Sequence, residues 1–124
     1  MAEKILIVDD SRSMRQMTSM ILKGAGYEVL EATNADEALE KLDSGLTAVI
    51  TDYNMPGMNG VELIKKIRGG SDANSVPILM LTTESEQEKK NAGKSAGATG
   101  WLTKPFDQDR LLGAVKKITK TVEF

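Results

Sequence analysis

The chain has 124 residues, 40% of them hydrophobic and 27% charged, with a formal net charge of -2. That is one ordinary domain of soluble, globular sequence, with no global attraction to nucleic acid or to an anionic membrane. It contains neither cysteine nor histidine, which excludes disulfides, thiolate metal sites and histidine-based catalysis and leaves carboxylates, hydroxyls, amines and backbone groups to carry any chemistry.

The opening "MAEKILIVDD" has an apolar run of four residues before two acids. That is too short for a signal peptide or a membrane span, so a cytoplasmic location is expected. The first strand is predicted at 4–8, "KILIV". A helix follows, in which Met14, Met17 and Ile21 fall three and four apart as its apolar stripe, with Arg15, Gln16 and Lys23 elsewhere on the wheel. Ser11 or Ser13 can cap its start, and Gly24 and Gly26 can end it. "YEVLEA" at 27–32 is the second strand, and Ala35, Ala38, Leu39 and Leu42 form the second helical stripe behind Asn34 as cap. "AVIT" at 48–51 is the third strand, closed by Asp52. Val61, Ile64 and Ile67 mark the third helix, stopped by "GG" at 69–70. "PILML" at 77–81 is the fourth strand. The fourth helix, around "SEQEKKNAGKSAGA", is the weakest: it has almost no large apolar residue, and Gly93 inside it costs about 1 kcal/mol relative to Ala. "GWLT" at 100–103 is the fifth strand, and Leu111, Leu112, Val115 and Ile118 form the fifth helical stripe behind Asp107.

Ile5–Val8, Val49–Ile50 and Ile78–Leu81 are nearly continuous apolar runs rather than alternating ones, as in strands covered on both faces. Strands joined by helical crossovers are parallel with right-handed connections. The predicted fold class is therefore α/β: a five-stranded parallel sheet, doubly wound as (βα)5, in a single domain spanning 1–124.

Ligands in such a sheet bind at the carboxyl ends of the strands. Asp9 and Asp10 follow the first strand, Asp52 the third, Thr82 and Thr83 the fourth, Lys104 and Pro105 the fifth. Three carboxylates, two hydroxyls and one ammonium therefore converge on one face. Clustered carboxylates repel one another unless a cation joins them, and Mg2+ suits an all-oxygen site completed by water and phosphate oxygens. A lysine and a threonine hydroxyl add a charge and a hydrogen bond for an anionic ligand. These are the parts that stabilise a transferring phosphoryl group. A carboxylate can itself be the nucleophile, and Asp52 is best placed because it closes the central strand. Its sequel, "YNMPGMNG", suits a tight turn, with Pro56 setting φ, Gly57 permitting positive φ, and Asn59 or Gly60 starting the next helix. The carbonyl of Asn54 can add a neutral oxygen ligand. Taken singly, each residue has a plainer reading: Asp9 and Asp10 as helix caps, Asp52 as a turn acid, Thr83 as a structural strand-end residue, Lys104 as a solvated lysine.

In this order, "ILIVDDS", "TDYNMPGMNG", "PILMLTT" and "GWLTKPF" resemble the response-regulator receiver domains of two-component signalling, over nearly the whole chain. The resemblance implies the flavodoxin-like fold, with the strand order 2-1-3-4-5 known for the family member CheY, an order that periodicity alone does not supply. It implies that Asp52 is the phosphoacceptor, served by a sensor histidine kinase. It implies a Mg2+ site in which Asp10, Asp52 and the Asn54 carbonyl are ligands and Asp9 acts largely through water. Thr82 becomes the switch hydroxyl, Lys104 the partner of the phosphoryl oxygens, and Lys104-Pro105 a cis bond. Trp101 stands at the switch-aromatic position, where Tyr or Phe is more usual; it reads either as that switch or as partly buried packing. Asn54 and Glu84 stand where such proteins tune dephosphorylation. The resemblance further implies a signalling phosphoacceptor rather than an enzyme, one that supports its own phosphorylation and dephosphorylation.

The single domain and "DSRSMR" are similar to CheY-type chemotaxis regulators, which implies a flagellar switch component as output partner, a possible phosphatase, and neither nucleic acid nor membrane as partner. Three alternatives stand beside this one: a phosphorelay intermediate that passes its phosphoryl group to a histidine phosphotransfer protein, a Mg2+-dependent phosphohydrolase on the same fold, and a degenerate receiver used only for dimerisation. No cap domain encloses a substrate, and Asn54 rather than an acid stands two residues after Asp52, both of which count against the hydrolase.

Overall fold

Five β-α units alternate along the chain. The computed structural model describes residues 3–43, 45–55, 57–70, 75–82 and 87–119, the side chains of 87–90 excepted. The elements are β1 (Lys4–Val8), α1 (Arg12–Gly24), β2 (Glu28–Ala32), α2 (Ala35–Glu40), β3 (Leu46–Asp52), α3 (Gly60–Gly69), β4 (Ile78–Thr82), α4 (Gln87–Ala96), β5 (Gly100–Thr103) and α5 (Gln108–Thr119). All strand pairs are parallel, in the order β2-β1-β3-β4-β5.

The near-continuous apolar runs are buried on both faces. Leu6, Val8, Val49, Ile78 and Met80 pack toward Ala35, Ala38, Leu63, Ile64, Ile67 and Ala96, which come from α2, α3 and α4. Their strand neighbours Ile5, Ile7, Ala48, Ile50, Leu79 and Leu81 pack toward Leu22, Leu111 and Val115 of α1 and α5. The period-two alternation of a strand thus feeds two separate cores. Each fully buried Leu or Ile contributes about 1.5–3 kcal/mol.

Helix starts follow the capping residues. The Ser11 hydroxyl accepts from the Met14 N–H, and the Asn34 side chain accepts from the Glu37 N–H. Asn59 and Glu62 form a reciprocal capping box at α3, and Asp107 accepts from the Arg110 N–H at α5.

Several expectations need correction. The inward face of α1 carries Thr18, Ser19 and Leu22, whereas Met17 is 38% exposed and Met20 74%. Of the expected stripe Ile21 packs against the core and Met14 is half-buried, while Met17 turns outward. β3 is longer than "AVIT", running from Leu46 to Asp52, so Asp52 is a strand residue rather than the first of a turn. α2 ends at Glu40, and Leu42, beyond its end, still packs against the core. Gly93 packs closely on the sheet, where a Cβ would lie 2.6 Å from Cε of Met80, the flexible end of that side chain.

Candidate functional site

The register of the parallel sheet brings the strand ends together. Val8 is opposite Ala32 on one side and Thr51 on the other, Asp52 is opposite Leu81, and Thr82 is opposite Thr103. Asp9, which follows β1, therefore lies beside the end of β3, and Lys104, which follows β5 two strands away, reaches it across the end of β4 with its long side chain. Asp9 is 1% exposed and Asp52 5%, while Asp10 is exposed. Asp9, Asp10 and Asp52 each present a carboxylate oxygen within 4.8 Å of the others. Lys104 Nζ stands 3.0 Å from Asp52 Oδ1 and 3.8 Å from Asp9 Oδ2. Its peptide bond to Pro105 is cis.

The loop after Asp52 closes on itself. The Tyr53 N–H donates to the Leu81 carbonyl at 2.8 Å, and the Gly60 N–H donates to the Tyr53 carbonyl at 2.9 Å. Gly57 adopts φ +77°, the left-handed conformation that glycine tolerates. A Cβ on Gly60 would fall 2.5 Å from the Asp52 carbonyl oxygen, so α3 can begin this close to the acid only with glycine as its first residue. Asp10, Tyr53, Asn54, Met55 and Asn59 line an open cleft of about 340 Å³ beside the acids.

Asp9 is pinned at almost every polar atom. Its N–H donates to the Ala32 carbonyl at 3.1 Å. Its carbonyl accepts from Arg15 Nη1 at 2.8 Å, and its Oδ1 accepts from the Ser11 N–H at 2.9 Å. Its Oδ2 accepts no hydrogen bond, and Asp52 Oδ1 has the Lys104 ammonium in ion-pair contact with no donor aligned for a hydrogen bond. Burial pushes the Asp52 pKa above the ordinary carboxylate value; contact with Lys104 and its charge pull it down, and the Asp9 and Asp10 charges push it up again. The balance is upward, with burial the dominant cause and Lys104 offsetting only part of it. Two buried acceptors left short of partners, in a site of hard oxygen donors, fit a small divalent cation.

Of the residues singled out from the sequence, Asp9, Asp10, Asp52 and Lys104 meet directly, and Asn54 lines the adjoining cleft. Thr82 is fully buried at the end of β4, and its carbonyl accepts from the Lys104 N–H at 2.7 Å. Trp101 is 40% exposed and faces another cleft, of about 440 Å³, with Leu79, Ala114, Lys117 and Ile118. Thr83, Glu84 and Pro56 lie outside the described residues. Sequence reasoning missed the hold of Arg15 and the Ser11 N–H on Asp9 and the close approach of Gly60 to the Asp52 carbonyl. Neither a backbone approach nor a side chain reaching a carbonyl leaves a periodic signal, so only the sequence neighbourhood "DSRSMR" pointed toward Arg15 and Ser11.

A model of the response regulator receiver domain matches residues 5–116. Chemotaxis protein CheY1 of Helicobacter pylori is 44% identical over 106 residues, covering 83% of this chain and 86% of that protein. Chemotaxis protein CheY-3 of Vibrio cholerae is 38% identical over 117 residues, covering 93% of this chain and 90% of that one. The solved structure of Vibrio cholerae chemotaxis protein CheY4 superimposes with a TM-score of 0.88 at 47% identity, over 95% of this chain and 99% of that one.

Proposed function

This chain belongs to the response-regulator receiver family, and on that footing we propose that it is a chemotaxis response regulator whose Asp52 accepts a phosphoryl group from a sensor histidine kinase. The observation that carries the proposal is the placement of Asp52: nearly buried at the end of the central strand, 3.0 Å from an ammonium and within 4.8 Å of two further carboxylates. An Asp52 oxygen attacks the phosphorus of a phosphohistidine; a P–O bond forms, the P–N bond breaks, and the imidazole leaves with the electron pair. Lys104 is placed to meet the phosphoryl oxygens, replacing its present contact with Asp52 Oδ1. Thr82 follows Leu81, the residue opposite Asp52 on the neighbouring strand, and its hydroxyl is the one to donate a hydrogen bond to a phosphoryl oxygen.

Asp10, Asp52 and the Asn54 carbonyl would hold Mg2+, with Asp9 acting through water. Bound there, the ion supplies charge neutralisation for the acids and for the phosphoryl oxygens.

Phosphorylation raises the negative charge beside Thr82 and Lys104 and adds acceptor oxygens, which draws both inward. Output runs through protein binding on the face built by α4, β5 and α5, where Trp101 is exposed and α4 carries little apolar surface to fix it. A flagellar switch component is the partner class that the chemotaxis relatives support. The phosphorelay reading has weaker support, because the similar proteins named above are chemotaxis proteins. Among the described residues no helix is long and apolar enough to cross a membrane.

The test is incubation with a small acyl phosphate and Mg2+, followed by intact mass and site mapping in wild type and Asp52→Asn. One phosphoryl group on Asp52, absent from the variant, is the expected result. Equal labelling of Asp52→Asn overturns the assignment.

A further inference from the structure

Arg15 is a cation placed beside a site that itself calls for a cation, and its geometry explains why. Its side chain is 14% exposed. Nη1 donates to the main-chain carbonyl of Asp9 at 2.8 Å while Nε donates to Glu31 Oε1 at 3.1 Å. Glu31 is fixed in turn, because it lies in β2 opposite Ile7, and its own carbonyl accepts from Lys41 Nζ. The guanidinium therefore bridges the β1–α1 turn to a paired strand.

That bridge acts on the acids. The Asp9 carbonyl belongs to the peptide unit joining Asp9 to Asp10, so holding it sets the direction in which the chain leaves Asp9 and the place of the Asp10 Cα. With the N–H on Ala32, Oδ1 on the Ser11 N–H and the carbonyl on Arg15, the one Asp9 atom left without a hydrogen bond is Oδ2, the oxygen nearest Lys104. We propose that Arg15 is a positioning residue for the divalent-cation site, holding the Asp9–Asp10 peptide so that both carboxylates face Asp52. This rests on the acid cluster being that site. Lysine is no substitute: an ammonium lacks the planar fork that reaches a carbonyl and a carboxylate together.

The sign of the effect separates positioning from plain electrostatics. Removing a positive charge next to a cation site tightens cation binding if charge is all that matters. Removing a positioning group weakens it, and losses of such supporting contacts typically reach about 10-fold or more in metal affinity. The experiment is calorimetric titration of Mg2+ into the metal-free full chain, for wild type, Arg15→Ala, Arg15→Lys, Glu31→Gln and the double variant Arg15→Ala/Glu31→Gln, with Arg68→Lys as a control for general softening.

Wild type is expected to bind, Arg15→Ala and Arg15→Lys to bind about 10-fold more weakly, and Arg68→Lys to match wild type. Glu31→Gln is expected to weaken binding, but to have a much smaller effect once Arg15 is gone, because its carboxylate orients the guanidinium. Unchanged or tighter binding by Arg15→Ala, or an equal loss in Arg68→Lys, overturns the proposal and leaves the cation site standing. Should Arg15→Ala not fold, Arg15→Lys, which keeps charge and stem, decides the matter. Failure of wild type to take up Mg2+ overturns the cation site itself, and the role of Arg15 with it.

Discussion

At the amino end of the sheet Arg68 donates from Nε to the Gly97 carbonyl at 2.9 Å and from Nη1 to the Val76 carbonyl at 2.6 Å, with Nη2 3.5 Å from the Thr99 hydroxyl. At the carboxyl end Lys104 faces Asp52 and Asp9 across 3.0 and 3.8 Å, and each of those acids keeps an oxygen without a hydrogen bond. Both cations are partly buried, but they do different things. Arg68 ties α3 to the starts of β4 and β5 by donating to the part-buried Gly97 and Val76 carbonyls, which stabilises the fold. Lys104 only partly offsets the surplus of carboxylates around it. One end of the sheet is built for stability, and the other holds uncompensated charge in reserve for a ligand.

Arg68→Ala breaks the stable end. It strands the Gly97 and Val76 carbonyls and is expected to cost about 3 kcal/mol of folding stability, measured by urea unfolding, while the Mg2+ dissociation constant stays unchanged. A loss of Mg2+ affinity would show that the two ends are not separate. Gly60→Ala attacks the other end through its backbone. Because the added Cβ meets the Asp52 carbonyl oxygen at 2.5 Å, α3 must shift, at about 2 kcal/mol, and calorimetry should show weaker Mg2+ binding as well.

A smaller effect is expected with pH in metal-free protein. The folded-state pKa of Asp52 is raised, so the native state holds that proton more tightly than the unfolded chain does. The corresponding stability is present at low pH and is lost as pH rises above the ordinary aspartate value of 3.8 through the raised one. Unfolding curves across that range should slope downward for wild type more than for Asp52→Asn; identical slopes would mean that Asp52 is not strained. The smallest effect is expected for Gly93→Ala. Its Cβ meets the flexible end of Met80, which can move aside, so the net change should stay within about 1 kcal/mol.

The same contrast explains what could be read from the sequence. Strands and their ends were legible because "KILIV", "AVIT" and "PILML" are apolar runs that stop at acids or hydroxyls, and parallel topology puts such ends on one side. Asp9, Asp10, Asp52 and Lys104 were found for that reason. The inward face of α1 was legible only in part: Ile21 packs inward as its spacing implies, but Thr18 and Ser19 share that face, and small polar residues carry no apolar period. Gly60, Gly93, Arg15 and Arg68 owe their roles to tertiary approach: a backbone against a carbonyl, a helix against a methionine, a guanidinium reaching distant carbonyls. None of these contacts has a one-dimensional signature.

The central claim, that the carboxyl end carries charge awaiting a cation, is tested most directly by thermal unfolding of wild type and Asp52→Asn with and without Mg2+. Without the ion, the neutral amide should make Asp52→Asn the more stable protein. With Mg2+ at about 100 times its dissociation constant, wild type should gain about 2.7 kcal/mol, and the variant much less. An Asp52→Asn protein less stable than wild type in the absence of metal, and stabilised equally by Mg2+, would contradict the account.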